Sequence, residues 1–428
     1  MHIQHIEAIY GRPTAIVLMA CRVYLETASM ESFMDYVGNS QVDWKEVIRL
    51  CRAHRIRPTA YRVLLKVSPP APWAEMLKKE LQKLTMQSMD KARETTRLIG
   101  LLLAEGITVF PYKGVAFSKR FYGEIGLRES GDIDLIIRPS DLPAINEALK
   151  KDGYLPEEED YQQFLGWERF TRAHRGYNLQ KLDRQDLPVH LELHWRIIYD
   201  YFGVGKFDNE FSFQASDQLQ VYDKTVPVQD NYQQFKYLYL HHSLHDGHGY
   251  LKTALDIAMG LKSLNLTKED YSNQPVIREI TETFSLPVAV HASNQLFATT
   301  FELPTDYPTD KTLGKLLENT LMERSKRPDE LGKNFFSYFH FHTSLIRKRA
   351  LFYPEKRRKM VFYYRNLAHF FHPNFIDYRI FRPKSMLAYR LIWIIRPIRH
   401  FFLPTDPLRR DMRSEERALL QEIKQKSN

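Results

Sequence analysis

The chain has 428 residues, of which 43% are hydrophobic and 26% charged, the balance of an ordinary globular protein with two or three domains. No stretch reaches the ~18–20 consecutive apolar residues of a membrane-spanning helix, and the run Ala15–Cys21 lacks the flanks of a secretory signal. The net charge of +9 is uneven, because residues 347–428 contain 20 basic and 7 acidic residues whereas residues 1–346 contain 41 and 45.

The cysteine content bears on the compartment. Only Cys21 and Cys51 occur, each in an apolar helical context. So few thiols in a chain of this length are typical of a reducing compartment, and a cytoplasmic protein is predicted.

Residues 1–105 are predicted to form a helical N-terminal region. The stretch from Asp43 to a predicted helix end near Pro58 carries apolar residues at helical spacing, namely Trp44, Val47, Ile48, Leu50 and Cys51. A longer helix is predicted from Pro72 to Glu105, with Gly106 at its C-terminus. Helices of this kind imply no chemistry by themselves.

The next stretch carries the functional hypothesis. An apolar run, Ile107–Tyr112, is predicted to be a strand, and a short helix leads to a second strand over 132–137. Asp132 and Asp134 share one face of that strand, because successive residues point to opposite faces. Two adjacent carboxylates on a buried strand require a cation, and Mg²⁺ is expected because it binds carboxylates together with phosphates. The pattern indicates metal-assisted phosphoryl or nucleotidyl transfer.

An Asp-x-Asp pattern alone also has other interpretations. It can mark a solvated strand end or a turn. It is also the pattern with which glycosyltransferases hold a divalent ion on the diphosphate of a nucleotide sugar. The surrounding sequence has to decide between these interpretations.

An α/β pattern continues downstream. A helix is predicted with Asp141 as its cap, Pro143 in its first turn and its end at Gly153. Residues 156–175 show no clear periodicity, and Tyr177–Leu182 is predicted to be a strand.

A further strand is predicted over Val189–Trp195, joined to the preceding one by a turn over Asp183–Pro188. Its residues alternate, so that His190, Glu192 and His194 face away from the apolar side. Glu192 is the candidate for a third carboxylate of the site. The alternative is an edge strand with a solvated polar face.

Several motifs together resemble a known family. They are Lys113-Gly114 after a strand, Arg128 shortly before Asp-Ile-Asp-Leu, and Glu-Leu-His-Trp at 192–195. The chain resembles the uncharacterised nucleotidyltransferase family related to DNA polymerase β, the minimal nucleotidyltransferases and the aminoglycoside nucleotidyltransferases. The resemblance covers most of the chain and is strongest over 107–200.

The resemblance implies an α+β fold with a polymerase β-like core, a small mixed sheet with helices, flanked by helical N- and C-terminal regions. The expected division is a helical region over 1–105, a catalytic core over 106–225, a helical domain over 226–345 and a basic aromatic region over 346–428.

The resemblance also implies the chemistry. The expected reaction moves an NMP group from an NTP such as ATP to a hydroxyl of a small molecule, sugar or protein, with Mg²⁺ or Mn²⁺ bound. The expected catalytic and metal-binding residues are Asp132, Asp134 and Glu192. The expected nucleotide contacts are Lys113, Gly114, Arg128 and Ser130. A glycosyltransferase, or a degenerate transferase that acts as a binding module, is the alternative function.

One departure from the wider superfamily concerns the phosphate loop. That superfamily usually has Gly-Ser in this place, with the acidic pair about a dozen residues on. Here Lys113-Gly114 takes its place, and 17 residues separate Gly114 from Asp132.

The segment 237–261 is predicted to be helical and is rich in histidine. His241 and His245 lie one turn apart, with His242, Asp246 and His248 nearby, which is compatible with a metal site. No Glu follows the first His as it does in a zincin. Because family members carry a similar helix, including an Asp like Asp256, a structural or substrate-adjacent role is expected.

The C-terminal region interleaves basic and aromatic residues, which suits an anionic lipid surface or nucleic acid. Peripheral contact with an anionic membrane is therefore one hypothesis, and nucleic acid is the less favoured partner. The competing hypothesis, which is preferred, is a packed helix whose arginines pair with acidic residues of the core. Its predicted core stripe is Leu387, Leu391, Ile394, Ile395 and Ile398.

Overall fold

The structure, a computed structural model, describes residues 3–38, 41–183, 188–199, 211–214, 217–264, 275–280, 287–302, 311, 346–347, 349–350, 352–353 and 355–402. Only the backbone is described for 275–276, 287–289 and 397–402. Most of the predicted turn over Asp183–Pro188, almost all of 303–345 and the charged C-terminus after Pro407 lie outside the described residues.

The N-terminal region is helical, as predicted. Its helices are α1 (Ile3–Tyr10), α2 (Arg12–Leu25), α3 (Met30–Gly38), α4 (Trp44–Ala53), α5 (Arg57–Leu64) and α6 (Ala71–Ala104). In α4 all five predicted stripe residues are buried, and the Asp43 side chain caps the helix by accepting a hydrogen bond from Glu46 N at 3.0 Å. Helix α4 ends before the predicted boundary, because Pro58 lies in the first turn of α5, where its missing N–H is tolerated.

Helix α6 closely matches the predicted helix from Pro72 to Glu105. Its C-terminus is closed by Gly106, whose φ of 75° is in the left-handed region. Gly106 N and Ile107 N donate to Leu103 O and Leu102 O, both at 3.0 Å. This closure turns the chain directly into the sheet.

A small mixed sheet follows, with strand order β1-β2-β5-β4-β3. The strands are β1 (Val109–Pro111), β2 (Ile133–Ile137), β3 (Leu155–Pro156), β4 (Gly176–Leu182) and β5 (Pro188–His194). Strands β2 and β5 are parallel, and the other neighbours in this sheet are antiparallel. The predicted α+β class with a small mixed sheet is confirmed.

The helices of this region are α7 (Gly114–Tyr122), α8 (Leu142–Lys151), α9 (Glu159–Leu165) and α10 (Trp167–Ala173). The last two occupy most of the stretch that showed no periodicity. Asp141 takes the N-cap position of α8 as predicted, but it does not cap the helix with its side chain. Its carboxylate instead accepts a hydrogen bond from Ser140 Oγ at 3.0 Å.

The two faces of the sheet pack into different hydrophobic clusters. Ile133 and Leu135 of β2, together with Leu191 and Leu193 of β5, lie in a cluster with α8, α9 and α10. Ile136, on the face shared with Asp134, belongs to a larger cluster with the N-terminal helices. That larger cluster also contains the helices that follow the sheet. The predicted four-part division of the chain stays a prediction.

The elements after the sheet are the hairpin β6 (Asp217–Val221) and β7 (Lys224–Val228), and the helices α11 (Asn231–Leu240), α12 (Leu251–Ser263), α13 (Pro275–Arg278) and α14 (Pro287–Phe301). A π-helical turn, His241–His245, continues α11. The C-terminal helices are α15 (Lys356–Phe371), α16 (Phe375–Phe381) and α17 (Met386–Phe402). Among the described helices, none combines the length and the hydropathy needed to cross a bilayer.

The predicted core stripe of α17 is wrong for the residues whose side chains are described. Leu387, Leu391 and Ile394 are 69%, 52% and 54% exposed, and Ile395 is exposed as well. The helix instead buries the opposite face, which contains Tyr389, Ile392 and Arg396. Both faces of α17 carry apolar residues at helical spacing, so periodicity alone could not select the packed one.

The arginine pairing of the packed-helix hypothesis also differs from expectation. Arg396 Nε lies 2.8 Å from Asp377, a buried residue of α16 within the same C-terminal region. The ion pair therefore joins two C-terminal helices to each other.

Candidate active site

The parallel pairing of β2 with β5 creates the site. Their register sets Asp134 opposite Glu192, and Asp132 directly precedes β2. The ligand atoms of Asp134, Glu192 and His194 all lie within 4.8 Å of one another. The two strands thus bring together carboxylates that are far apart in the sequence.

A histidine and a lysine contact the buried carboxylate of Asp134. His194 Nε2 lies 2.8 Å from Asp134 Oδ1 and 3.3 Å from Glu192 Oε2. Lys113 Nζ lies 3.6 Å from the same Oδ1. The imidazole thus contacts Asp134 and Glu192, and the ammonium group contacts Asp134. Asp132 is not a member of this group of ligand atoms and interacts with the other two acids through their charge.

The pKa shifts divide the three acids. Burial by itself would raise the pKa of Asp134, but the charge of Lys113 and the hydrogen bond from His194 hold it well below its usual range. Burial by itself would also raise the pKa of Glu192, but the hydrogen bond and the charge of His194 lower it below its usual value. The pKa of Asp132 is raised, first by the charge of Asp134 and then by burial and Glu192. Negative charge is thus least compensated at Asp132.

The amino end of α7 lies against the loop that leads to this acidic pair. Gly114 has φ of 55°, and a Cβ there would lie 3.5 Å from Ser130 Oγ and 3.7 Å from Asp132 O. Ser130 Oγ donates to Asp132 O at 2.9 Å, which fixes the loop in front of β2. No side chain caps the amino end of α7. Its first backbone N–H groups can therefore donate hydrogen bonds to a phosphate.

Arg128 is held by a buried carboxylate. Its Nε lies 2.9 and 3.0 Å from the two carboxylate oxygens of Asp256, and both side chains are buried. Tyr122 Oη also donates to Asp256, at 2.7 Å, and His242 Nε2 lies 3.0 Å from it. Only Nε of the Arg128 guanidinium bonds to Asp256 among the described residues, so the pair positions this side chain, and its contact with a phosphate stays a prediction.

The histidine-rich turn adjoins the same site. His241, His245 and Asp246 form a second group whose ligand atoms lie within 4.8 Å of one another. Lys113 Nζ lies 3.4 Å from His241 Nε2 and so stands between the two groups. Burial, followed by the charges of nearby cations, lowers the pKa of His241 well below its usual value and that of His245 to about 3. Both imidazoles are therefore neutral near pH 7.

Two contributors to the site had not been proposed. His194 had a signal in the sequence, since it shares the strand face of Glu192. Arg175 had none, because it ends the stretch without periodicity, yet its Nη1 lies 3.3 Å from His194 Nδ1.

Comparison with known proteins identifies a family. Residues 40–298 match the family described as uncharacterised nucleotidyltransferase. This segment is more than half of the chain and contains both groups of candidate ligands. No curated protein and no solved structure matches the chain.

Proposed function

The chain belongs to the family of uncharacterised nucleotidyltransferases, and from that premise we propose a metal-dependent enzyme that moves an NMP group from an NTP to an acceptor hydroxyl. The observation that carries the proposal is the juxtaposition of Asp132, Asp134 and Glu192 at one parallel strand pair. Lys113 and the amino end of α7 lie beside them, where phosphates would bind.

The residues fit a divalent cation. Mutual repulsion raises the pKa of Asp132 despite the nearby Lys113, so the three acids still lack positive charge. Carboxylate oxygens suit Mg²⁺, and His194 adds a nitrogen that Mn²⁺ accepts more readily. Asp132, Asp134 and Glu192 are the proposed ligands. A cation bound there would offset charge on the phosphate oxygens and on the departing pyrophosphate.

In the proposed reaction the acceptor oxygen forms a bond to the α-phosphorus of the NTP. The bond from that phosphorus to the pyrophosphate oxygen breaks, and pyrophosphate leaves with its electron pair. Glu192 takes the acceptor proton as general base, since it is ionised and the most exposed of the carboxylates that contact His194. Lys113 and the N–H groups of Gly114 and its successors hold phosphate oxygens.

We also infer that β1, α7, β2 and β5 form a polymerase β-like core. Carboxylates on adjacent strands beside a helix amino end support this assignment. A cytoplasmic location is part of the proposal, supported by the two buried free thiols Cys21 and Cys51.

The alternative functions are less well supported. A nucleotide-sugar glycosyltransferase would need a Rossmann half before the Asp-x-Asp pattern, where the described residues form helices and the short strand β1. A degenerate binding module would not need three acids, a lysine and an open helix end at one place.

The test is incubation of the purified protein with each labelled NTP, Mg²⁺ or Mn²⁺ and a cell extract as source of acceptor. Metal-dependent transfer of α-phosphate label from an NTP, and no transfer of label from a nucleotide sugar, is expected. No transfer with any NTP and either metal would reject the proposed function.

We further propose that the C-terminal region contacts an anionic membrane. Apolar residues exposed on α15, α16 and α17 account for 11 of the 17 large exposed apolar side chains among the described residues. On α17 they form the stripe Leu387, Leu391 and Ile394, and on α15 they include Met360, Tyr364 and Leu367. Exposed basic residues border them, namely Lys356, Arg357, Arg358, Arg382, Lys384 and Arg390. Apolar faces bordered by cations suit the interface of an anionic bilayer.

Vesicle flotation tests this contact. The intact protein should float with vesicles that contain anionic lipid, and less as salt rises, because the Debye length is roughly 8 Å at physiological ionic strength. The double variant L391S/I394S should lose flotation, whereas M86S/L103S, a matched change on α6, should keep it. Sedimentation of the wild type away from such vesicles at low salt would refute the contact. Arg396 is unsuited to this test because its guanidinium is buried against Asp377.

A further inference from the structure

The three proposed metal ligands differ in how the fold holds them. Asp134 and Glu192 are partners in the ladder of β2 with β5, which begins at Ile133. Asp132 lies directly before this ladder, and the pairing of β2 with β1 covers only Leu135–Ile137. Strand pairing therefore fixes two of the carboxylates, whereas the position of the third depends on the loop that precedes β2.

This loop, residues 123–131, is called the β2 loop. It contains no helix or strand, and three of its residues are glycines. Because glycine has the widest choice of backbone conformations, a segment rich in it does not hold one path by itself. Contacts with neighbouring elements must therefore specify the path of the β2 loop.

Helix α6 packs directly against the backbone of the β2 loop. Gly126 has φ of 91°, in the left-handed region. A Cβ at this position would lie 3.3 Å from Ser88 Cβ and 3.7 Å from Thr85 Cα. A side chain here would be both strained and crowded, so glycine allows the loop to approach the helix closely.

A lysine of the same helix bonds to the end of the β2 loop. Lys91 Nζ donates a hydrogen bond to the backbone oxygen of Ser130. Burial lowers the pKa of Lys91, whereas the charges of Asp132 and Glu129 act to raise it. Ser130 Oγ in turn donates to Asp132 O at 2.9 Å. Two successive hydrogen bonds thus connect α6 to the backbone of the unpaired acid.

Helix α5 holds the β2 loop through a bidentate ion pair. Arg57 Nε and Nη2 lie 2.9 and 2.5 Å from the two carboxylate oxygens of Glu129. The two side chains are 24% and 13% exposed. Arg57 Nη1 also lies 2.8 Å from Glu80 of α6, which fixes the guanidinium between the two helices. A bidentate pair of this kind restricts orientation as well as distance.

We propose that Lys91 and the pair of Arg57 with Glu129 are positioning residues of the metal site. They hold the β2 loop so that the carboxylate of Asp132 can bind the cation together with Asp134 and Glu192. The inference rests on the proposed metal site. It makes the N-terminal helices part of the catalytic apparatus.

Titration of the metal-free full chain with Mn²⁺ is the primary test. The signal of unbound Mn²⁺ in electron paramagnetic resonance gives the affinity without any NTP. The variants are Lys91→Met and Glu129→Gln. The matched controls are Lys83→Met, at an exposed lysine of α6, and Glu124→Gln, at an exposed carboxylate of the β2 loop.

The two variants remove charges of opposite sign, which separates positioning from charge. If only charge mattered, loss of the Lys91 ammonium would strengthen Mn²⁺ binding and loss of the Glu129 carboxylate would weaken it. Positioning predicts that both variants bind Mn²⁺ at least about tenfold more weakly, the usual effect of residues that orient metal ligands. Both controls should stay within about twofold of the wild type.

Opposite changes in the two variants, or an unchanged affinity in both, would overturn the inference. Absence of Mn²⁺ binding by the wild type would do the same. Thermal melting verifies that each variant is folded. Ser130→Ala removes the last hydrogen bond to Asp132 without a change of charge, and it should also weaken Mn²⁺ binding. It replaces either variant that does not fold.

Rates of label transfer distinguish this inference from the proposed function. If the variants weaken Mn²⁺ binding but no NTP labels any product, the transfer reaction fails and the positioning role stands. The converse result is transfer at the wild-type rate by both variants, at the Mn²⁺ concentration that half-saturates the wild type. In that case the positioning role fails and the transfer reaction stands.

Discussion

Two buried acidic sites of the molecule differ in how their charge is compensated. Asp256 is fully buried, and Arg128, Tyr122 and His242 all bond to it. Asp134 is also buried, but it shares Lys113 and His194 with two further acids. The charge of Asp256 is compensated within the fold, whereas the crowded carboxylates around Asp134 leave negative charge that a ligand can compensate.

The sharpest test of the comparison is Asp134→Asn. Removal of one charge from the proposed metal site should reduce nucleotidyl transfer by at least about 10³-fold, because several kcal/mol of charge stabilisation are lost. Rates of label transfer from an NTP measure the effect. Asp160→Asn, which changes an exposed carboxylate on α9, should leave the rate unchanged. Wild-type activity in Asp134→Asn would contradict the assignment.

The second largest effect is expected at Asp256. Asp256→Asn leaves the Arg128 guanidinium buried without an anion and should destabilise the fold by about 3–5 kcal/mol. Urea denaturation measures this change. The double variant R128M/D256L removes both charges and should recover part of the loss. A loss below about 1 kcal/mol in the single variant would refute the structural role of the pair.

Replacement of Asp132 should stabilise the metal-free protein, whereas replacement of Asp256 should destabilise it. The pKa of Asp132 is higher in the folded protein than its usual value of about 3.9. The free energy of unfolding therefore falls as pH increases from about 3.9 through the raised pKa, and it stays lower at higher pH. Asp132→Asn should remove that loss and stabilise the metal-free protein by less than about 1 kcal/mol above this window. Melting temperatures with and without Mg²⁺ provide the measurement. A lower melting temperature of metal-free Asp132→Asn than of the wild type at pH 7 would contradict the repulsion between Asp132 and its neighbouring carboxylates.

Replacement of Asp134 should not stabilise the metal-free protein. Relief of a crowded acidic pair would be expected from either aspartate if only the sequence were considered. In the structure the pKa of Asp134 is lowered, so its ionised form stabilises the fold, and this contribution is lost as pH falls below about 3.9. Asp134→Asn should therefore lower the melting temperature of the metal-free protein at pH 7.

The smallest effect is expected for an exposed ion pair. Arg62 and Glu124 lie 2.8 Å apart with side chains 41% and 59% exposed. Glu124→Gln should change the unfolding free energy by no more than about 1 kcal/mol and leave activity intact. A larger change would show that exposed ion pairs contribute more to the stability of this protein than their exposure predicts.

Elements whose signals are local could be predicted from the amino-acid sequence. The stripe of α4, the length of α6 with its closing glycine, and the alternation of β5 each follow from residues a few positions apart. The strand face shared by Asp132, Asp134 and Ile136, opposite Ile133 and Leu135, follows from the same period of two. These features explain why the acidic motif and the general fold class could be predicted.

Contacts between residues that are distant in the sequence could not be predicted in this way, because they depend on how the elements pack. Strand pairing sets Asp134 opposite Glu192, and Arg128 meets Asp256 across more than a hundred residues. The exposed stripe of α17 shows the same limit, because a helix with apolar residues on two faces does not specify which face its neighbours cover. Periodicity determines how residues are grouped along one element. The energy of packing, pairing and desolvation between elements determines which group is buried and which charge is compensated.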